Sequence, residues 1–183
     1  MNLQMILSGV GGQGILFATR IFTNLALEKG YNVIGSETHG MAQRGGSVVS
    51  HLKIGDYSSP LVRQGTADLL LSFDPDEAYR TLSFLKRGSL CFVNSPREDF
   101  WDPGIKSYLK KNEIRAYSFP ADRVALALGV PQSANLALIG YALSAPDVPF
   151  TYEDVRETIA RISPPRFRDV NLQAFDIGYR GER

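Results

Sequence analysis

The chain has 183 residues, 44% hydrophobic and 21% charged, enough for one well-buried core and short for two, so a single domain over residues 1–183 is expected. A net charge of +1 with no basic run excludes the electrostatic footprint of a nucleic-acid or membrane-surface binder, so neither partner is expected. One cysteine, Cys91, excludes a disulfide framework, a cysteine-ligated zinc site and an iron–sulfur cluster held by this chain alone. No stretch approaches the roughly 18 uninterrupted apolar residues of a membrane span, and the first residues carry no basic leader, so a cytoplasmic protein is expected.

Residues 3–9 form a short apolar run bounded by glycine, the pattern of a parallel strand buried on both faces. The turn Gly9-Val10-Gly11-Gly12-Gln13-Gly14 follows, fitting G-x-G-x-x-G, and residues 15–29 then carry apolar positions at helical spacing up to Gly30. Residues 31–36 complete a β-α-β unit whose crossover should be right-handed. Glu37 stands at the strand's end, about 20 residues past the turn, where a dinucleotide-binding unit keeps its ribose-binding acid. The nucleotide pattern weakens there, because residues 38–46 read as a glycine-bearing loop. Residues 47–54 then alternate with period two, so an antiparallel excursion takes the place of a helix.

Residues 57–66 read as an ordered loop and 68–73 as a buried strand. Asp74-Pro75-Asp76-Glu77 starts a helix, with a side-chain cap, proline where no amide partner is needed, and acids at the positive end; Lys86-Arg87-Gly88 closes it. Strand 89–94, a loop carrying Trp101, a short helix over 105–111, strand 115–119 and helix 121–128 follow. Ser133 caps residues 134–143, which are apolar nearly all round and must be buried. Thr151-x-x-Asp154 opens one more helix, Ser163-Pro164-Pro165 ends it, and the tail 167–179 packs back on the body. The expected fold is α/β: a three-layer Rossmann-like domain with a mostly parallel sheet and an atypical strand excursion after the second strand.

Two loops carry the chemistry. Loops at the carboxyl ends of adjacent strands meet over one crevice, so the turn 9–14 should face the loop 38–46. Gly11, Gly12, Gln13 and Gly14 from the first, with Gln43, Arg44, Gly45 and Gly46 from the second, are the candidate binding residues. Backbone amides at the helix start welcome an anion, Arg44 offers a bidentate fork, and the glutamines offer directional hydrogen bonds. His39 is a possible proton carrier, although a loop histidine with one hydrogen-bond partner is commoner. His51 reads as solvated or interfacial, and neither histidine has a metal-binding spacing. No G-x-S-x-G elbow is present, and Cys91 in its apolar run is a buried hydrophobe, so no catalytic residue is assigned.

The turn at 9–14, paired with Ser36-Glu-Thr-His-Gly-Met-Ala-Gln-Arg-Gly-Gly-Ser47 and followed by Ser59-Pro60-Leu61 and Asp68-Leu-Leu-Leu-Ser-Phe-Asp74, resembles the small, gamma-type subunit of 2-oxoacid:ferredoxin oxidoreductases. The His39-to-Gly46 wording is closest to the indolepyruvate oxidoreductase beta subunit, and related branches usually carry a Gly-Pro-Glu type wording at Gly40-Met41-Ala42. The resemblance implies the domain III fold of pyruvate-ferredoxin oxidoreductase. It implies an enzyme that converts a 2-oxoacid and coenzyme A to an acyl-CoA and carbon dioxide, with this chain alone inactive and without cofactor of its own. Thiamine diphosphate, Mg and iron–sulfur clusters would belong to a large partner subunit, ferredoxin would be reached through that subunit, and coenzyme A could lie at the interface. Two alternatives remain: a stand-alone dinucleotide-binding oxidoreductase, which Glu37 supports, and a ligand-sensing α/β module.

Overall fold

The structure is a computed structural model and describes residues 1–39 and 45–182. Strands β1 (Leu3–Val10), β2 (Val33–His39), β3 (Ser47–Ile54), β4 (Ala67–Ser72), β5 (Leu85–Asn94) and β6 (Arg115–Phe119) form one sheet in the order β2-β3-β1-β4-β5-β6. β1, β4, β5 and β6 are parallel neighbours, whereas β3 runs antiparallel to both β1 and β2. The excursion after the second strand is therefore real: β3 wedges between β1 and β2 and pairs with β1 from Leu3↔Ile54 to Val10↔Ser47. Strands β1 and β2 still share a direction but are not adjacent.

Alternation sorts the sheet's side chains onto two helical layers. Leu3, Met5 and Leu7 of β1, Leu69 and Leu71 of β4, and Leu90 and Phe92 of β5 face helices α1 (Ile15–Glu28), α4 (Ala121–Ala127), α5 (Ala134–Leu143), α6 (Tyr152–Ile162) and α7 (Arg168–Arg180). Ile6, Leu70, Cys91 and Val93 face helices α2 (Pro75–Thr81) and α3 (Pro103–Lys111), closed at the rim by Phe100 and Trp101. Both faces of the central strands are covered, which is why they read as unbroken apolar runs. Helix α5 is buried as its composition requires, held between the sheet and α7. Gly140 of α5 and Gly178 of α7 bring the two backbones together: a Cβ on Gly140 would stand 2.1 Å from the Phe175 carbonyl oxygen, and one on Gly178 would stand 1.9 Å from that of Ala137.

Three local expectations are corrected. Lys86, Arg87 and Gly88 do not close the helix after Asp74. That helix ends at Thr81, a 3-10 turn covers Leu82–Phe84, and the three residues belong to the start of β5. Pairing of Leu85 with Ala67 buries the leucine, and the register then jumps to Leu69↔Leu90, so Lys86, Arg87 and Gly88 bulge outward while Ser89 stays buried. Ser133 precedes α5 without capping it; its hydroxyl donates to Asn171 Oδ1 at 2.8 Å. His51 is neither solvated nor interfacial. It is buried beneath the loop 57–66, where its Nδ1 accepts from the Val62 amide at 3.2 Å. The polar face of β3 is roofed by that loop, which alternation within β3 alone could not reveal.

Candidate functional site

The crevice lies where the sheet changes hand. Helix α1, after β1, packs on one face, and α2, after β4, packs on the other, so their starts diverge above adjacent parallel strands. Open α/β sheets bind ligands outside the carboxyl ends of strands at such a switch point. The turn 11–14 occupies it.

Each glycine of the turn has a separate physical reason. Gly9 leaves room for the Gln13 side chain, which folds back so that its Oε1 accepts from the Val10 amide at 2.7 Å; a Cβ on Gly9 would stand 2.6 Å from that oxygen. Gly14 caps α1 in the left-handed region at φ 75°, and its carbonyl accepts from Ala18 N and from Asn135 Nδ2, both at 3.0 Å. A Cβ there would stand 2.4 Å from that nitrogen. Gly12 differs: its φ is 106°, and nothing lies within 4 Å of where a Cβ would be. Its freedom serves backbone shape and open space rather than internal packing.

Three recesses meet at Gly12. One, of about 210 Å³, runs between Phe17 and Phe167 towards Ser133, Asn135 and Asn171. A second, of about 160 Å³, is lined by Gln13, Phe73, Asn94, Asp122 and Gln132. The third, of about 510 Å³, is bounded by Leu16, Phe17, Arg20 and Val48. Helix α1 has no side-chain cap, and the amides of Gly12 and Gly14 meet no acceptor among the described residues. The turn therefore presents open N–H donors at the positive end of a helix, an arrangement suited to an anion or a partner's carbonyls.

The turn 9–14 meets the described end of the second segment, while Thr38 and His39 continue strand β2 instead of opening a loop. Gly11 N donates to Gly46 O at 2.9 Å, and Val10 pairs with Ser47, so the return of the second loop is bonded to the first. Gly45 stands beside that return in the left-handed region at φ 80°. Gln43, Arg44 and the side chain of His39 lie outside the described residues. Glu37 is exposed on β2, opposite Ser50 of β3. With β3 interposed, it stands two sheet spacings, roughly 10 Å, from β1. A dinucleotide reaching from the turn to a neighbouring ribose-binding acid does not fit that separation.

The sequence did not single out Glu77 beyond a helix-start role. Its backbone amide does receive the Asp74 cap, but its carboxylate is buried, accepts from the Ser47 hydroxyl at 2.5 Å and pairs with Arg80 at 2.7 Å. It thereby pins the first residue of β3 where the second loop returns. No local pattern signals a partner 30 residues away. Asn94 plays a similar part, donating to Phe73 O and accepting from Asp122 N at the mouth of the second recess.

The remaining reactive side chains are tied up in packing. Burial, reinforced by the nearby Lys53 ammonium, lowers the His51 pKa and keeps the ring neutral. Burial also lowers Lys53, with Arg63 adding to the shift, and that lysine lies 5.2 Å from the Tyr57 ring centroid. The Cys91 thiol is pushed up by complete burial. Among the described residues no three of His, Cys, Asp or Glu converge as a metal site.

Comparison with known proteins agrees with this architecture. Residues 4–181 match the family model described as pyruvate ferredoxin/flavodoxin oxidoreductase. The chain is 36% identical to indolepyruvate oxidoreductase subunit IorB of Pyrococcus horikoshii, covering 98% of this chain and 95% of that one. In fold it is similar to the gamma subunit of a keto/oxoacid ferredoxin oxidoreductase from Geobacter sulfurreducens, with a TM-score of 0.77 and 23% identity over 98% of this chain and 97% of that one. It is also similar to part of the 2-oxoglutarate:ferredoxin oxidoreductase from Magnetococcus marinus, with a TM-score of 0.76 and 21% identity, covering 98% of this chain but 31% of the longer one. With the wedged antiparallel strand, the glycine turn at the switch point and a match running nearly end to end, the chain belongs to the pyruvate ferredoxin/flavodoxin oxidoreductase family.

Proposed function

We propose that this chain acts as one domain, the small subunit of an enzyme that oxidatively decarboxylates indolepyruvate or another aryl pyruvate to an acyl-CoA and carbon dioxide and reduces ferredoxin. The observation that carries the reading is the near full-length similarity, at 36% identity, to an indolepyruvate oxidoreductase subunit. The donor set of this chain does not suit the redox work: its single thiol is sealed at the centre of the sheet, and no metal-ligating cluster forms among the described residues. We therefore assign thiamine diphosphate, Mg and the iron–sulfur clusters to a large partner subunit, which also meets ferredoxin, and the isolated chain is inactive. The part played here is to present Gly11 to Gly14, with Gln43, Arg44, Gly45 and Gly46, to that partner or to coenzyme A at the interface. The open amides at Gly12 and the start of α1 suit a phosphate oxygen or a partner carbonyl.

The test is anaerobic purification of the tagged chain from its native host. A large co-purifying subunit with iron–sulfur absorbance, and coenzyme A-dependent ferredoxin reduction faster with indolepyruvate than with pyruvate or 2-oxoglutarate, is the expected result. A colourless chain emerging alone under gentle conditions would overturn the assembly. An assembled enzyme that prefers an aliphatic 2-oxoacid would overturn the substrate.

A further inference from the structure

Strand β2 closes one side of the sheet, and among the described residues no strand pairs with its outer edge. Natural edge strands are guarded by lysine, proline, a bulge or a covering element. Val33-Ile34-Gly35-Ser36-Glu37-Thr38-His39 has no lysine or proline, its pairing with β3 is unbroken, and its one carboxylate is exposed. Directly paired residues share a face, so Val33, Gly35 and Glu37 stand on the same side as Ile54, Leu52 and Ser50, the side of α1.

On that side α1 carries a stripe at helical spacing, Leu16, Arg20, Thr23 and Leu27, with the two leucines 44% and 57% exposed. The opposite flank of α1 is tied to α6 by the ion pairs Lys29–Asp154 and Arg161–Glu28. Between the stripe and β2 runs a groove of about 410 Å³, floored by Gly35 and walled by Arg20, Thr23 and Glu37. Arg20 and Glu37 are both exposed, and neither has an ion-pair partner among the described residues.

We propose that this edge is the contact between two copies of the chain, β2 pairing antiparallel with β2 of the second copy about a two-fold axis at Ser36. Such a contact is self-complementary. Centred on Ser36, it sets Glu37 of each copy opposite Gly35 of the other, on the α1 side, where the missing side chain leaves space. The carboxylate then enters the partner's groove, walled by Arg20, so two symmetric Arg20–Glu37 pairs form across the axis. If each α1 lies above β3, the two helices stand about three sheet spacings apart, roughly 14 Å. That exceeds the roughly 8–10 Å of direct helix packing, so the long side chains of Leu16, Arg20 and Leu27 fill the gap. A large subunit of different sequence would have no reason to match an acid–base pair that is already reciprocal within one chain.

The inference does not depend on the proposed substrate or cofactors. The experiment is sedimentation equilibrium of the full chain, alone and in its native complex, for the wild type, Glu37→Arg, Arg20→Glu and the double variant, with circular dichroism to verify folding. The wild type should sediment as a dimer. Each single reversal should weaken self-association roughly tenfold or more, because like charges then meet twice across the axis, and the double reversal should restore it. A wild-type monomer at every concentration would overturn the proposal, as would a dimer untouched by either reversal. So would single reversals that spare self-association but release a large partner subunit, which would give the edge to that partner.

Discussion

Gly14 and Asn135 act on each other as a single latch. The carboxamide donates to the Gly14 carbonyl, and the missing glycine side chain is the space the carboxamide occupies. Gly14→Ala should cost about 2–4 kcal/mol, combining left-handed strain with a steric conflict. With about 2–4 °C lost per kcal/mol in a chain of this size, a thermal melt reads it directly. Asn135→Ala removes the obstructing group, so the double variant should lose clearly less than the sum of the singles, and strict additivity would show the contact to be inert. His51 supplies a pH-dependent counterpart. Its folded pKa lies below the ordinary 6.5, so the unfolded chain binds the proton more readily. Its share of stability is present above pH 6.5 and is lost as the pH falls from there towards the folded value. Urea melts should find the wild type weakening between neutral and mildly acid pH, with His51→Gln flattening that slope. An unchanged slope in the variant would place the pH response elsewhere.

Among the elements, the α5–α7 pair depends most on small residues. Since a Cβ on either Gly140 or Gly178 would fall inside backbone atoms, alanine at either site must force the helices apart. The expected cost is about 3 kcal/mol or more, the upper end of overpacking, seen as a large fall in melting temperature or in soluble yield. A variant melting within a degree of wild type would mean that α7 is not seated as described. The sequence marked α5 as buried through its composition and α7 as packing back through its apolar positions. It could not mark Gly140 and Gly178 as a crossing, because nothing within one helix reports where the other will lie. Glu77 is the same case: a helix-start acid by local pattern, and the anchor of Ser47 only after α2 and β3 have been brought together.

At the scale of the whole molecule, the carboxyl edge of the sheet gathers what distant segments contribute: the turn 11–14, Gly46, Asn94, Asp122 and Asn135. Gly12 stands at its centre, with open space where a side chain would go. Gly12→Ala should strain the backbone by about 1–3 kcal/mol while leaving the fold intact. In the assembled enzyme its turnover should fall roughly tenfold or more if this edge aligns a partner or coenzyme A, because small misplacements at an interface are amplified in rate. Full activity in a stable Gly12→Ala enzyme would remove the turn from the functional surface.

Unaided, the sequence determined the α/β class, most strand and helix positions, the antiparallel excursion and the glycine turn at 9–14. These follow from local causes: hydrophobic period, capping chemistry and the backbone freedom of glycine. Tertiary structure alone decided the insertion of β3 between β1 and β2, which separates Glu37 from the turn, and the burial of His51 under a loop. It alone decided the division of labour among the glycines, with Gly9 and Gly14 making room for Gln13 and Asn135 while Gly12 faces open space. Period and propensity are properties of neighbours along the chain, whereas strand order and close approach depend on segments far apart in sequence, and only the packed sheet brings those together.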